Sequence, residues 1–263
     1  MTSSVVSFAD LLKSAVTEPG IISDAYQQFH TYSIGNQLLA WSQCLDRQIQ
    51  PGPIATFMGW KDMGRYVRKG EKALTLCMPV TVKRTHEQKD GTEDADMFTR
   101  FVYRPHWFVL AQTEGVELAP QRIPTWEKTR ALAALDVKEI AFDVHDGNVM
   151  GFARARTIAV SPLNPLPYKT TFHELGHVLL GHTSEGDQSD GELTPRSLRE
   201  CEAEAVALLC CAALGLPGVE FSRGYIQNWW GHDPIPERSA QRVLKVADQI
   251  LKAGSTTGSE VQS

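Results

Sequence analysis

Phe172-His173-Glu174-Leu175-Gly176-His177-Val178-Leu179-Leu180-Gly181-His182 is the stretch that decides how this chain is read. It falls in a helix expected over about 168–182. His173 and His177 stand at i and i+4, stacked on one face a turn apart, so both imidazoles can reach one zinc ion. Glu174 sits at the edge of that face, where a carboxylate can hold a metal-bound water and take its proton. The flanking Phe172, Val178, Leu179 and Leu180 bury the helix and leave the imidazoles at a boundary with water. His182 falls off that face and reads as a helix-end residue.

A pentapeptide H-E-x-x-H also arises by chance, so the reading depends on a third ligand. Catalytic zinc usually takes three protein ligands and leaves one position for water. Downstream, Arg199-Glu200-Cys201-Glu202-Ala203-Glu204 lies on an otherwise apolar helix over 197–215, closed by Gly215 and Pro217. Glu200 and Glu204 share a face, whereas Glu202 points away. Carboxylates on a buried helix are costly unless paired or metal-bound. Glu200 is therefore expected as the third ligand and Glu204 as the group that orients a ligating histidine through its second ring nitrogen, with the reverse assignment open. The polar stretch between the two helices suits antiparallel packing. Tyr168, Tyr225 and His232 are candidate donors to a developing oxyanion.

At 263 residues the chain can bury a proper core, and 42% hydrophobic with 22% charged content is that of an ordinary globular protein. Its N-terminus, with Asp10 and Lys13 among the first apolar residues, does not read as a signal peptide, and a cytoplasmic location is expected. Cys44, Cys77, Cys201, Cys210 and Cys211 are odd in number and contain no C-x-x-C, which argues against a disulfide framework or a cysteine zinc site. The net charge of −5 is unevenly spread: residues 1–114 are neutral, with 12 basic and 12 acidic side chains. Inside that half, residues 54–84 hold Lys61, Arg65, Arg68, Lys69, Lys72, Lys83 and Arg84 against Asp62 and Glu71.

Along the chain, helices are expected at 7–17 and about 23–47, the second with Ser23 as N-cap, before a break at Pro51-Gly52-Pro53. A short helix at 59–67 and a turn at 68–72 follow, then strands at 73–84 and 97–112 forming a hairpin. Strands are expected again around 137–146 and 157–162, and a last helix over about 236–252. The fold class is α+β. The expected division is an N-terminal module at 1–116, a linker at 117–135, a second domain at 136–253 and a disordered tail at 254–263.

H-E-L-G-H followed by E-x-E-A-E-A-V-A resembles the gluzincin-type metallopeptidases of the ImmA/IrrE group and the C-terminal domain of ArdC-like antirestriction proteins. The run from Phe57 to Lys72, preceded by Tyr32-Ser33-Ile34-Gly35-Asn36-Gln37 and followed by Trp107 to Gly115, is similar to the N-terminal single-stranded-DNA-binding domain of the ArdC-like proteins. The resemblance implies a zincin-like domain with Zn²⁺, single-stranded DNA as partner, and protection of DNA from restriction enzymes. Physically, Lys61, Arg65, Arg68, Lys69 and Lys72 suit phosphate tracking, and Trp60 or Tyr66 suits stacking on a base. Two other readings stay open: a regulatory peptidase that cleaves a repressor, and a DNA-binding protein whose zinc is not catalytic.

Overall fold

The computed structural model of the protein describes residues 6–87, 93–144, 146–183, 195–230 and 235–256. It divides into two compact units, one formed by Gly35–Gln121 and the other by Met1–Ile34 together with Arg122–Ser263. Three helices open the chain, α1 (Phe8–Thr17), α2 (Ile21–Phe29) and α3 (Ile34–Asp46). The single helix expected over 23–47 is thus two. Gly20, at φ +86°, rather than Ser23, starts α2, and a turn closed by Tyr32 N–H on the Phe29 carbonyl separates it from α3. Apolar residues recur at helical spacing in both, so the pattern ran unbroken across the turn.

In the 35–121 unit, β1 (Ile54–Thr56), β4 (Glu93–Val109) and β3 (Leu74–Glu87) form an antiparallel sheet in the order β1-β4-β3. The expected hairpin is β3 and β4, with Cys77 opposite Tyr103. Beside the outer strand β3, α3 supplies amide side chains. Asn36 bonds both the carbonyl and the N–H of Cys77 at 2.8 Å, and Gln43 does the same for Thr75 at 2.9 Å. These amides satisfy backbone groups that an edge strand otherwise leaves open. Between β1 and β3 run α4 (Phe57–Asp62), capped by the Thr56 hydroxyl on Gly59 N–H, and β2 (Arg65–Val67), which pairs with β5 (Thr113–Gly115).

The other unit is organised on one helix. After β6 (Thr125–Trp126), α5 (Lys128–Ala134) and β7 (Lys138–Glu139), the strands β8 (Gly151–Arg154) and β9 (Thr157–Val160) complete a small sheet in the order β7-β9-β8. Four helices follow: α6 (Pro167–Leu179), α7 (Arg196–Leu214), α8 (Val219–Trp230) and α9 (Glu237–Gly254), and β10 (Ser255–Thr256) pairs back on β6. Helix α7 packs against α2, α6, α8 and α9, and every residue from Cys201 to Cys211 is buried. Helices apolar on all sides belong in a core, and Cys210 and Cys211 are core residues here. α1 and α2 join this unit. Glu237, at the start of α9, accepts from the N–H groups of Phe8 and Ala9 at 3.0 and 2.8 Å, which satisfies donors at the start of α1.

The division therefore differs from the expected one. Residues up to Ile34 pack with the C-terminal unit, and part of the stretch read as a linker (117–135) is the helix α5, packed on α9. The tail read from 254 starts inside structure, because Gly254 ends α9 and Ser255–Thr256 pair with β6; residues 257–263 lie outside the described residues. The strand expected over 137–146 is reduced to β7. Among the described residues no helix is long and apolar enough to cross a membrane.

Candidate metal centre

Helix α6 begins with Pro167 at its first position, where the missing N–H costs nothing, and Thr171 ties its hydroxyl to the Pro167 carbonyl at 2.8 Å. Phe172 faces inward, with Trp126 edge-on at 4.9 Å between ring centroids, and the Trp126 indole N–H reaches the Ile250 carbonyl at 2.9 Å. With Phe172 and Leu175 locked into the core, His173 and His177 are presented toward α7. Gly176 is the reason the helices come so close. A Cβ there would stand 3.2 Å from the Ala203 Cα.

Across that contact three ligand atoms converge. His173 Nε2 and His177 Nε2 are 3.1 Å apart, and each is 3.5 Å from Glu200 Oε2. A circle through atoms with these separations has a radius of about 2.0 Å, the distance of zinc from nitrogen or carboxylate oxygen. An ion near the centre of that triangle would be at bonding distance from all three, and the two imidazoles with one carboxylate suit zinc or a neighbouring divalent ion. Among the described residues His173, His177 and Glu200 are the group of this kind.

The groups around the triangle hold it. Glu204 Oε2 meets His173 Nδ1 at 2.8 Å, and its other oxygen meets Lys169 Nζ at 2.6 Å. Burial raises the Glu204 carboxyl, but its bonds to His173 and Lys169 bring it down to about 2. Hydrogen bonds from His173 and His177 hold Glu200 well below the usual carboxylate range. Burial lowers the His173 imidazole, and its bonds to Glu200 and Glu204 more than offset this, bringing it to about 9. Glu174 is 7% exposed, and burial raises its pKa against the pull of His173 and His177. It lies beside β8, where a Cβ on Gly151 would be 3.1 Å from Glu174 Oε1.

Three more residues belong to this constellation and were not assigned to it from sequence. Lys169 is one; His182 and Glu202 are the others. His182 is not a loose helix end. Gly181, at φ +80°, turns the chain back, His182 N–H bonds the His177 carbonyl at 2.9 Å, and Gly181 N–H bonds that of Val178 at 3.2 Å. This glycine-terminated C-cap puts the residue after the glycine against the last turn of the helix. His182 Nδ1 accordingly stands 3.0 Å from His177 Nδ1, and His182 Nε2 stands 2.9 Å from Glu202 Oε2. Glu202 points away from the Glu200 face, as its spacing requires, but toward His182. The dipeptide Gly181-His182 at the end of an apolar helix was the available signal.

Of the oxyanion candidates, Tyr168 packs with Trp126 and Phe172, at 6.1 and 6.4 Å between ring centroids. Tyr225 is 46% exposed, and burial and then the charges of Glu200, Cys201 and Glu204 raise its pKa. His232 lies outside the described residues.

In the 35–121 unit the residues assigned to DNA separate into two sets. Trp60 is 1% exposed and donates its indole N–H to the Phe108 carbonyl at 2.8 Å, so its ring is core and offers no face to a base. Arg65 is spent on Thr113 and on the carbonyls of Gly115 and Val116. Arg68 bonds Glu71 and the Ala111 carbonyl. Lys61, Tyr66, Lys69 and Lys72 are exposed, and Phe57 and Met58, which were not singled out, are exposed beside them in sequence.

The fold and this centre define the class: an α+β protein with an H-E-x-x-H helix packed on a glutamate-bearing helix, the pair carrying a His-His-Glu cluster. Residues 13–107 match the family model for the N-terminal domain of anti-restriction factor ArdC. Two solved structures of the antirestriction ArdC protein from the R388 plasmid share the fold. The metal-free one is 20% identical with a TM-score of 0.55, over 94% of this chain and 97% of that one. The Mn(II)-bound one is 20% identical with a TM-score of 0.53, over 97% and 98%. No curated protein matches the sequence. Residues 13–107 thus resemble the N-terminal domain of ArdC, and the chain shares the fold of those two structures.

Proposed function

We propose that this chain is a single-stranded-DNA-binding antirestriction-type protein whose unit of residues 1–34 and 122–263 carries a zinc-dependent metallopeptidase-type centre. The observation that carries the centre is the convergence of His173, His177 and Glu200 on a point about 2.0 Å from each, beside a buried Glu174. His173, His177 and Glu200 would hold the ion, and Glu204 keeps the His173 ring turned toward it. When bound, such an ion supplies a water of lowered pKa and polarises a carbonyl. Glu174 accepts the water's proton at its carboxylate and returns it to the departing amide nitrogen, and burial, which raises its pKa, favours holding that proton between the two steps. The unpaired cysteines suit a reducing, cytoplasmic setting. Manganese in the R388 relative favours a second reading of the ion, with Mn²⁺ in place of Zn²⁺.

For DNA, the exposed Tyr66 with Lys61, Lys69 and Lys72 offers a stacking ring among cations, in the segment that matches the ArdC N-terminal domain. Two measurements test the proposal. Metal analysis should find about one ion per chain, lost in His173→Ala and His177→Ala and retained in Glu174→Ala. A labelled single-stranded oligonucleotide should bind with an affinity that falls as salt rises. Full metal occupancy in the histidine variants removes the metal centre from the proposal, and no binding at low salt removes the DNA. Unchanged biological activity in Glu174→Ala would make the ion non-catalytic.

A further inference from the structure

We infer that His182 and Glu202 act as a positioning dyad for His177, so that α7 holds both imidazoles of the H-E-x-x-H helix, one directly and one through a third imidazole. This rests on the proposed ion site. His173 is backed by Glu204 at 2.8 Å. Among the described residues His177 has no carboxylate of its own at Nδ1; it has His182 at 3.0 Å, and His182 has Glu202 at 2.9 Å.

The proton positions follow from chemistry. A neutral His177 that turns its Nε2 lone pair toward the ion carries its proton on Nδ1. That N–H donates to His182 Nδ1, which is then an acceptor, so the His182 proton sits on Nε2 and donates to Glu202. One tautomer at each ring satisfies every bond in the series. Partners on the second nitrogen of a ligating histidine fix its tautomer and orientation.

The surroundings make the dyad rigid. Glu202 is fully buried and the His182 side chain is 5% exposed. Arg242 donates to the Leu180 carbonyl and Arg199 to that of His182, so the turn that returns His182 to the helix is pinned from α9 and from α7. A carboxylate taken wholly out of water is costly; Ser239 and the charge of Arg242 help to offset that cost, and the histidine bonded to it leads to the proposed ion.

The test is zinc affinity of the full chain, measured by competition with a chromophoric chelator. Glu202→Ala and His182→Ala should each weaken zinc about 10- to 100-fold. Glu202→Gln, which keeps an acceptor for the His182 N–H, should recover most of that loss, which a purely structural role for the charge would not predict. The double variant should bind no more weakly than His182→Ala alone, because the two act in series. A spectroscopic readout needs no variant. Long-range ¹⁵N spectra of the zinc-loaded wild type should show protons on His177 Nδ1 and His182 Nε2. A proton on His182 Nδ1 overturns the dyad. So do single variants within about twofold of wild type, or Glu202→Gln no better than Glu202→Ala. In those cases wild-type zinc uptake leaves the ion site standing, whereas a wild type that takes up neither zinc nor manganese brings down the site and the dyad together.

Discussion

Replacing Gly176 by alanine probes the contact on which the centre is built. The added Cβ would lie 3.2 Å from Ala203 Cα, 3.4 Å from the Ala203 oxygen and 3.4 Å from Val206 Cβ. Two of these neighbours are backbone of a helix buried on all sides, so no rotamer change relieves them, and α6 and α7 must part by a few tenths of an ångström. Alanine in a helix interior is favoured over glycine by about 1 kcal/mol. Overpacking a close contact costs about 1–3 kcal/mol, so the variant should lose between about 0 and 2 kcal/mol. The centre spans the widened gap. The histidines sit on α6 and Glu200 and Glu204 on α7, and the 2.8 Å bond from His173 to Glu204 lengthens with it. Metal affinity should fall by about tenfold, the lower end for disturbed partners of ligating histidines. Denaturant unfolding of the metal-free chain and chelator competition measure the two effects. A stability gain of about 1 kcal/mol with unaltered affinity would refute the crossing.

Three further perturbations follow. His173 in the metal-free protein is raised to about 9 from an ordinary value of 6.5, so its ion pairing contributes stability that is full below 6.5 and lost as pH rises through 9. An ion must displace that proton, so apparent metal affinity should rise about tenfold per pH unit from 6.5 and level off near 9; a flat profile in calorimetric titrations would contradict this. Trp60→Ala should cost about 3–5 kcal/mol of stability. Tyr66→Ala should leave stability nearly unchanged and weaken single-stranded DNA binding by about 1–3 kcal/mol, and oligonucleotide titration with thermal unfolding separates the two outcomes.

Spacing alone placed the two histidines and two glutamates of the centre, because i and i+4 on long helices translate directly into shared faces. Where spacing left the two glutamates interchangeable, the structure puts Glu200 beside both Nε2 atoms and Glu204 on Nδ1 of His173, which favours Glu200 as the proposed ligand. His182 escaped because helical periodicity ends at Gly181, and a left-handed turn puts the next residue where no wheel would draw it. Trp60 was misplaced for another reason: cations surround it in sequence, while its ring points into the sheet and bonds Phe108. α8 was not anticipated and α5 fell in a stretch read as a linker; both are short helices that are stable because they pack on α7 and α9.

Helix α7 is at once the innermost element of its unit and the donor of Glu200, Glu202 and Glu204. Such an arrangement joins two thermodynamic cycles. Whatever loosens the interior, even a methyl lost at the buried Leu208, one turn beyond Glu204 along the helix, is transmitted as a shift of the carboxylates, and whatever empties the proposed centre removes the restraint on the helix. With the proposed ion bound, cation loading and folding of this unit are linked equilibria, so a chelator should lower its melting temperature and heating should release the ion.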